Sequence, residues 1–481
     1  MKDNSRGLAE LLILRILGIF SPIQLNALLL SALLPVMLFI GVHNVEAANH
    51  YIRAGATGSV PCSDWISANA CNALPATLVR GDTYYIAGGN YAGYTFDDAA
   101  VGTTTITIKH ATINDHGTAT GWNDAFASQT VFTSGITCRT AWLIIDGMTG
   151  GGPGSWEAGF GIKVNTTSKG VFITSGRCDN VTFRHVDFVG SGRLAPRSNA
   201  GGTDVDIIYI AGGNVTNLTF QYSLLRDANC THMLSWPNPI NGLLMEYTKV
   251  ARNGPSEHAE CWSAGDDDNI VIRYSWWEDC MATGFIASVN GSGTASNWDI
   301  YGNIFSWSGN FRDGILNTGI FFNSYNGVDV FIVASNWHVY NNVFANIGNN
   351  SFTAQIVSQN AVNYVVENNI WYHNKPLDGG VAGTSGVTTS NYNFFCDNEA
   401  NAKSGPNDIV CSTATSPFRN YLSGDWSLVS AIPGLNLGTP YNVDFLGNNR
   451  AADGVWDRGA LEFRSGVTDL PPLAPTNIRV L

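Results

Sequence analysis

A repeated pattern of apolar and polar positions runs along the chain from residue 180. The copies are of the type NVTFRHVDF and begin at Asn180, Asn217, Gly242, Asn269, Asn297, Asn336 and Asn363. The residues one, three and eight positions after each start are apolar in every copy. Such alternation predicts β-strands. The copies recur at intervals of 25 to 39 residues, and self-similarity at this period is typical of a solenoid.

The alternation breaks six residues after each start, where the chain is predicted to turn a corner. This position holds Ser275, Asn303, Asn342 and Asn369 in the later copies. Because neighbouring coils stack about 4.8 Å apart, asparagines there are expected to hydrogen-bond from coil to coil, like the amide ladders of cross-β stacks. A second strand precedes most copies, as in IIYIAG and AECWSAG.

Two or three short strands per turn, Gly and Asn at the corners and no helical periodicity describe a parallel β-helix. Over about residues 50–463 the sequence resembles the right-handed β-helices of the pectate-lyase-like superfamily. The resemblance implies an all-β fold, a right-handed parallel β-helix (a solenoid). Earlier coils are expected to include 84–87, 104–109 and 142–148. The segment DGVWDRGALEF resembles the terminal strand of secreted β-helix proteins.

Residues 1–47 are predicted to be a signal peptide. Two apolar runs, 11–20 and 28–42, precede Val45-Glu46-Ala47, where small residues at −3 and −1 fit cleavage. The alternative is an uncleaved N-terminal anchor, although 15 residues are few for a spanning helix. We therefore expect a secreted or cell-surface protein without stable membrane insertion after cleavage. The β-helix domain would cover 48–463 and a Pro-rich tail 464–481.

All nine cysteines follow the predicted cleavage site. Export permits disulfides, and an odd count leaves at least one thiol outside them. Cys62–Cys71 and Cys396–Cys411 are the expected local pairs. Cys138 and Cys178 fall at nearly equivalent points of adjacent coils and are a further candidate pair.

Charge is scarce and its balance is acidic. Of 481 residues 13% are charged, and 38 Asp and Glu against 25 Lys and Arg give a formal charge of −13. This balance excludes a nucleic-acid binder of the basic-patch type, and 44% hydrophobic residues exclude disorder. We expect a monomer whose partner is a polysaccharide.

The charges that exist concentrate on neighbouring coils, just after the repeat strands. They are Arg226, Asp227, Lys249, Arg252, Glu278 and Asp279, with Glu257, His258 and Glu260 in the following loop and His232 at the position aligned with Glu260. Equivalent positions of consecutive coils become neighbours in space, so these residues are predicted to form one cluster. The alternative is a set of solvated surface charges, each contributing little.

The sequence does not determine which side of the strand at Trp262 faces the core, which we call the phase of the strand. His258, Glu260 and Trp262 share one side by period two. If Cys261 and Ser263 face the core, an acid, a base and a flat ring point outward, as in many carbohydrate sites. The opposite phase places Trp262 in the core. Trp276, Tyr301 and Tyr340 are further aromatic residues expected to face outward, where they would either line a groove or lie beneath loops.

The favoured function is an exported polysaccharide lyase that acts on an acidic, uronate-containing glycan by β-elimination. The catalytic candidates are Lys249, Arg252, Glu257, His258 and Glu260. Lys249 or Arg252 would neutralise the uronate carboxylate or abstract its C5 proton, with His258 or another base assisting. The residues expected to bind substrate are Arg226, Asp227, His232, Trp262, Glu278 and Asp279.

Three alternatives remain beside the lyase. A C5-epimerase begins with the same proton abstraction. A glycoside hydrolase would pair Glu257 or Glu260 with Asp227. A non-catalytic glycan-binding or adhesin β-helix is the alternative from another class, because no catalytic motif of the superfamily matches residue by residue.

Calcium is the one cofactor that the resemblance suggests, and Asp266, Asp267 and Asp268 are its candidate ligands. These three consecutive acids lack the alternating spacing of a calcium loop. An acidic turn that caps the strand at Asn269 is the favoured interpretation.

Overall fold

The structure is a computed structural model, and its described residues from Ala48 onward belong to one compact unit. It describes residues 47–165, 170–174, 178–192, 206–235, 237–254, 260–280, 284–288, 293–308, 319–322, 332–347, 355–358, 360–374, 383–398, 401, 405–412 and 415–465. Of the predicted signal peptide, residues 1–46 lie outside this description, as do residues 466–481 of the predicted tail.

Each turn of the chain contributes strands to three parallel sheets, which we call A, B and C in the order in which the repeats visit them. Among the described residues, the strands of sheet A are Asn49–Ile52, Thr83–Ile86, Ile106–His110, Leu143–Asp146, Val181–Arg184, Val215–Gln221, Ile240–Glu246, Asp268–Arg273, Thr294–Tyr301, Val333–Tyr340, Ala361–Glu367 and Thr389–Asn391. Those of sheet B are Gly89–Tyr91, Thr130–Phe132, Ile162–Asn165, Val186–Val189, Leu224–Arg226, Lys249–Ala251, Trp276–Glu278, Ile304–Ser306, Val343–Ala345, Ile370–Tyr372, Phe394–Cys396 and Ile409–Val410. Those of sheet C are Thr95–Phe96, Ile136–Cys138, Gly170–Thr174, Asp206–Ile210, Met233–Leu234, Trp262–Ala264, Gly284–Ser288, Gly319–Phe322, Gln355–Val357 and Gly383–Ser385.

The register within the sheets follows the sequence repeat. In sheet A, Phe183 pairs with Phe220 and Trp298 with Trp337, always in parallel. The predicted all-β parallel β-helix is therefore confirmed, and the crossover rule for parallel strands makes its coil right-handed. The earlier coils expected at 84–87, 104–109 and 142–148 are confirmed as strands of sheet A.

The apolar columns of the repeat form the core inside the coil. Trp298 and Trp337 are fully buried and stack with their ring centroids 4.1 Å apart. Burying one such side chain stabilises the fold by about 1.5–3 kcal/mol. Because each coil adds the same column positions, the core continues unbroken along the solenoid.

A buried asparagine ladder occupies the predicted corner between sheets A and B. The Nδ2 of Asn303 donates to Asn342 Oδ1 at 3.0 Å, and that of Asn342 donates to Asn369 Oδ1 at 3.1 Å. Asn393 extends the ladder, and the carboxylate of Asp408 closes it by accepting the backbone N–H of Asn393 at 2.6 Å. The predicted coil-to-coil bonds are thus confirmed.

A second, exposed asparagine ladder lies at the start positions of the repeat. Asn269, Asn297 and Asn336 have φ between 58° and 60°. Asn297 Nδ2 donates to Asn269 Oδ1 at 2.9 Å. Asparagine is among the few residues that adopt this left-handed conformation readily, which explains its recurrence here.

Four disulfides join the described residues. Cys62–Cys71, Cys138–Cys178 and Cys396–Cys411 confirm the expected pairs, and Cys261–Cys280 is an additional one. The ninth cysteine, Cys230, is a buried thiol. Four disulfides are typical of proteins from an oxidising compartment. Within the described ranges, no helix has the length and apolar character needed to cross a membrane.

The C-terminal segment, residues 415–465, covers part of the outer face of sheet B. It contains an antiparallel pair, Phe418–Asn420 with Asp425–Leu428, and the 3₁₀ turn Tyr421–Ser423. The other described 3₁₀ turn is Asp124–Ala127. The residues of the segment that pack on the outer face of sheet B include Trp426, Phe445 and Leu461.

Candidate functional site

The outer face of sheet B changes from apolar to charged along the solenoid. At one position of successive strands it carries Ile370, Val343 and Ile304, which the C-terminal segment covers. The next two coils place Trp276 and then Lys249 at the same position. The candidate site lies at this change.

Six of the predicted residues meet there: Arg226, Asp227, Lys249, Arg252, Glu278 and Asp279. Arg226, Ala251 and Glu278 are level on adjacent strands, and Asp227, Arg252 and Asp279 follow them with φ between 56° and 60°. The charged side chains bond in one continuous series, which we call the ion-pair chain: Asp187, Arg226, Asp227, Arg252, Glu157, Lys249 and Glu278.

Two guanidinium groups hold the carboxylate of Asp227 between them. Arg226 Nη1 lies 2.8 Å from Asp227 Oδ2, and Arg252 Nε lies 2.7 Å from Asp227 Oδ1. Arg226 also forks onto Asp187, with both N–O distances at 2.9 Å. Arg226 and Arg252 keep 24% and 25% of their side chains exposed, so both reach the surface.

Lys249 is the buried cation of the ion-pair chain. Its Nζ lies 2.7 Å from Glu157 Oε1 and 2.7 Å from Glu278 Oε2. The same ammonium sits 3.8 Å above the ring centroid of Trp276, a cation–π contact. The Lys249 side chain is only 5% exposed, because the loop that carries Glu157 contacts it from outside the sheet.

The two carboxylates on Lys249 have their pKa values moved in opposite directions. Burial would raise the pKa of Glu157, but the hydrogen bond from Arg252 and the charge of Lys249 outweigh it and lower that pKa to about 2. Burial raises the pKa of Glu278 despite Lys249, and the nearby Asp279 adds to the rise. Such divergence is a mark of acid and base roles.

Sequence reasoning missed two members of the ion-pair chain. Asp187 is level with Leu224 on sheet B, so the repeat register contained a signal that would have found it. Glu157 lies in the connection between Leu143–Asp146 and Ile162–Asn165, outside the repeat. No column of the sequence points to it.

Trp262 is a predicted substrate-binding residue, and the structure places it in the core. Its ring is fully buried, stacks on Trp298 at 4.9 Å and donates from Nε1 to Ser235 Oγ at 2.9 Å. The opposite phase is the correct one, because Trp262 lies between Met233 and Ile286 in the core column of sheet C. Its ring therefore cannot contact a substrate.

His232 and Glu260 are also buried. His232 is fully buried, with Nε2 2.8 Å from the carbonyl oxygen of Ala251, and burial lowers its pKa to about 4. The backbone N–H of His232 bonds to Cys261, so the predicted alignment with Glu260 is shifted by one residue. Glu260 is 4% exposed. Glu257 and His258 lie outside the described residues.

The remaining predicted carboxylates serve the backbone of adjacent coils. Asp279 accepts from the N–H and the hydroxyl of Ser308. Oδ1 of Asp266, Asp267 and Asp268 accepts the N–H of Gly293, Ile240 and Ser296, respectively. These bonds join the acidic segment to the neighbouring coils. Among the described residues, no group of three His, Cys, Asp or Glu is arranged to hold a metal ion.

An aromatic cavity of about 350 Å³ adjoins the ion-pair chain. Its walls include Trp156, Trp276, Trp426 and Phe445. Trp156 stacks on Phe445 at 5.0 Å and meets Trp276 edge-on at 6.1 Å. The expected outward orientation of Trp276 is thus confirmed.

Tyr301 and Tyr340 lie elsewhere. Both are buried, 2% and 9% exposed, and Tyr441 of the C-terminal segment packs edge-on against them. Of the two alternatives, these tyrosines therefore lie beneath another segment of the chain and not in an open groove.

Comparisons with known proteins concern the fold. No family model matches the sequence, and no curated protein matches it. Among solved structures, the pectate lyase Pel9A is 12% identical over 87% of this chain and 97% of its own, with a TM-score of 0.40. The PL6 alginate lyase AlyGC is 13% identical over 71% of this chain, with a TM-score of 0.30, and this chain spans 52% of its length. The A-module of mannuronan C-5 epimerase AlgE6 from Azotobacter vinelandii is 13% identical over 70% of this chain and 91% of its own, with a TM-score of 0.24.

Proposed function

We propose that the protein is an exported polysaccharide lyase that acts on an acidic glycan lying across the outer face of sheet B. One observation carries the proposal: in a chain with few charges, three cations and four carboxylates form a single ion-pair chain beside an aromatic cavity. Aromatic walls with placed charged groups are the usual composition of a small-molecule site.

Asp227 marks where a uronate carboxylate would bind. It lies between the guanidinium groups of Arg226 and Arg252, and guanidinium forks match carboxylates in shape and charge. A substrate carboxylate that displaces Asp227 would meet both arginines. Neutralising that carboxylate makes the neighbouring C5 proton more acidic.

Elimination then needs one base and one proton donor. The base takes the C5 proton, the electrons of that C–H bond form the C4–C5 double bond, and the C4–O bond breaks as the leaving oxygen takes a proton from the protonated base or from water. Lys249 and His258 remain the predicted bases. Because Lys249 already donates to two carboxylates, we favour His258 for proton abstraction.

The test is a panel of alginate, polygalacturonate, glycosaminoglycans and neutral glycans, followed by ultraviolet absorbance of the unsaturated product and by reducing ends. A lyase gives unsaturated ends on an acidic glycan, and Arg252→Gln strongly reduces that activity. Binding without any product would instead support the non-catalytic alternative. New reducing ends without unsaturation would exclude the lyase.

A specific observation favours glycoside hydrolysis as the second candidate, with Glu157 and Glu278 as the carboxylate pair. Both bond the same ammonium, so their bonded oxygens are at most twice 2.7 Å apart. Retaining glycosidases have their carboxyl groups about 5–5.5 Å apart. Glu278, with its raised pKa, would be the acid. Glu278→Gln would then abolish the release of reducing ends.

A further inference from the structure

We infer that the aromatic cavity holds one uncharged sugar ring of the glycan that crosses the ion-pair chain. The inference deepens the proposed function and rests on it for the identity of the polymer. Binding in the cavity is measurable without turnover.

The cavity and the ion-pair chain share their walls. Trp276 lines the cavity, and Lys249 lies above the same ring. Trp156, which meets Trp276 edge-on at 6.1 Å, directly precedes Glu157. A glycan bound along the ion-pair chain therefore reaches the cavity without leaving the surface.

The size and lining suit a single sugar ring. About 350 Å³ lies at the lower end of the range for small-molecule sites. Aromatic rings contact the C–H faces of a pyranose, while Ser423 and Ser427 supply hydroxyl groups at the lining. Trp156 is only partly buried, which leaves part of its ring available to a ligand.

The charges that line the aromatic cavity disfavour the binding of a uronate there. The described lining residues include one carboxylate, Asp425, and no Lys or Arg. The nearest ammonium above Trp276, that of Lys249, is already bonded by two carboxylates. A carboxylated sugar would thus meet like charge without a cation to offset it, whereas an uncharged ring would not.

The cavity is built from segments far apart in the sequence. Trp156 comes from a connection after the fourth strand of sheet A, Trp276 from sheet B, and Trp426 and Phe445 from the C-terminal segment. Burying the outer face of sheet B requires only apolar cover, as at Ile304 and Ile370. Leaving an open aromatic cavity at the edge of that cover is consistent with ligand binding.

The experiment titrates the full-length protein with oligosaccharides and follows tryptophan fluorescence and calorimetric heat. The probes are cello-, manno-, xylo- and galacto-oligosaccharides, with oligogalacturonate and oligomannuronate as the charged set. We expect saturable binding of at least one neutral probe. Trp156→Ala should weaken it by about tenfold, the loss of one stacking contact, and Trp156→Phe should retain part of it.

Trp122→Ala is the matched control. This residue is also a half-buried tryptophan, but it lies in the N-terminal aromatic cluster, stacked on His116 at 4.2 Å. It should leave binding unchanged. Asp425→Asn should raise the affinity for the charged probes relative to the neutral ones.

Three results would overturn the inference: saturable binding of charged probes alone, no binding of any probe, or equal losses in Trp156→Ala and Trp122→Ala. None of them depends on turnover. A protein that binds neutral probes but leaves acidic glycans intact would refute the lyase and keep the sugar cavity.

Discussion

Besides the exposed asparagine ladder, two series of polar side chains run along the outside of this solenoid, and the repeat explains only one of them. On sheet A a ladder joins Asp146, Arg184, Gln221, Glu246 and Arg273. On sheet B lies the ion-pair chain. Both link consecutive coils through opposite charges or hydrogen bonds.

The difference lies in where the members come from. From Arg184 to Arg273, each member of the sheet A ladder occupies the same repeat position, four residues after the start. Stacking of coils is enough to account for it, as for cross-strand charge pairs in any sheet. The ion-pair chain instead includes Glu157 from outside the repeat and shares Trp276 with a cavity. Coil stacking requires neither feature, which is why we propose that the site lies on sheet B.

The largest expected effect is the removal of Lys249. In Lys249→Met the carboxylate of Glu278 stays buried without its cation, and losing one partner of a buried pair costs about 3–5 kcal/mol. Denaturant unfolding measures this loss. Arg273→Met on sheet A also removes the cation of a buried carboxylate, Glu246, but Arg273 itself is 31% exposed. It should cost less than Lys249→Met, because Lys249 is 5% exposed and bonds two carboxylates. Equal losses would remove the distinction between the two series.

The next largest expected effect is a loss of turnover that affects the ion-pair chain on sheet B and not the ladder on sheet A. Arg252→Gln should lower kcat/KM on the acidic glycan by at least about tenfold, equivalent to 1.4 kcal/mol of transition-state stabilisation. Arg273→Gln is the control, and its activity should match the wild type. Steady-state kinetics on both variants checks this, and a comparable loss in Arg273→Gln would speak against a site on sheet B.

The stability of the protein at low pH should distinguish the two carboxylates that bond Lys249, those of Glu157 and Glu278. The pKa of Glu157 is lowered from 4.5 to about 2, so its contribution to stability is present above pH 4.5 and lost as the pH falls towards 2. Unfolding free energies measured between those pH values should fall less steeply in Glu157→Gln than in the wild type.

Glu278 contributes a pH dependence of stability with the opposite sign. Its pKa is raised from 4.5, so the folded state binds its proton more tightly and this group favours folding as the pH falls through its raised value towards 4.5. Glu278→Gln should therefore make the acid loss steeper. The same slope in both glutamine variants would contradict the assignment.

The smallest expected effect is at the other end of the sheet A ladder. Arg184→Gln removes a 3.5 Å contact with Asp146 from a side chain that is 27% exposed. Thermal unfolding should show a change of less than about 1 kcal/mol, with turnover unchanged. A large loss of activity would mean that the sheet A face takes part in the site.

The sequence predicted the columns of the repeat, but it missed Asp187, which lies in the repeat register, and Glu157, which lies outside it. The core columns and the corner ladder from Asn303 to Asn369 follow from alternation and period alone. The strand Trp262–Ala264 has three residues, all buried, so alternation gave no unique phase for Trp262. Glu157 could not be predicted because its partners, Lys249 and Arg252, lie more than ninety residues later, and no column connects them.

The buried asparagine ladder has a consequence for how such a protein changes length. The side-chain amide of each rung donates to the next asparagine and to a backbone carbonyl of the preceding coil, as Asn342 does to Asn369 and Ile300. Asp408 supplies the terminal acceptor at Asn393. A whole coil duplicated or deleted inside the ladder would meet the same partners on both sides. Evolution can therefore lengthen or shorten the molecule in steps of one coil, provided that the ending stays intact.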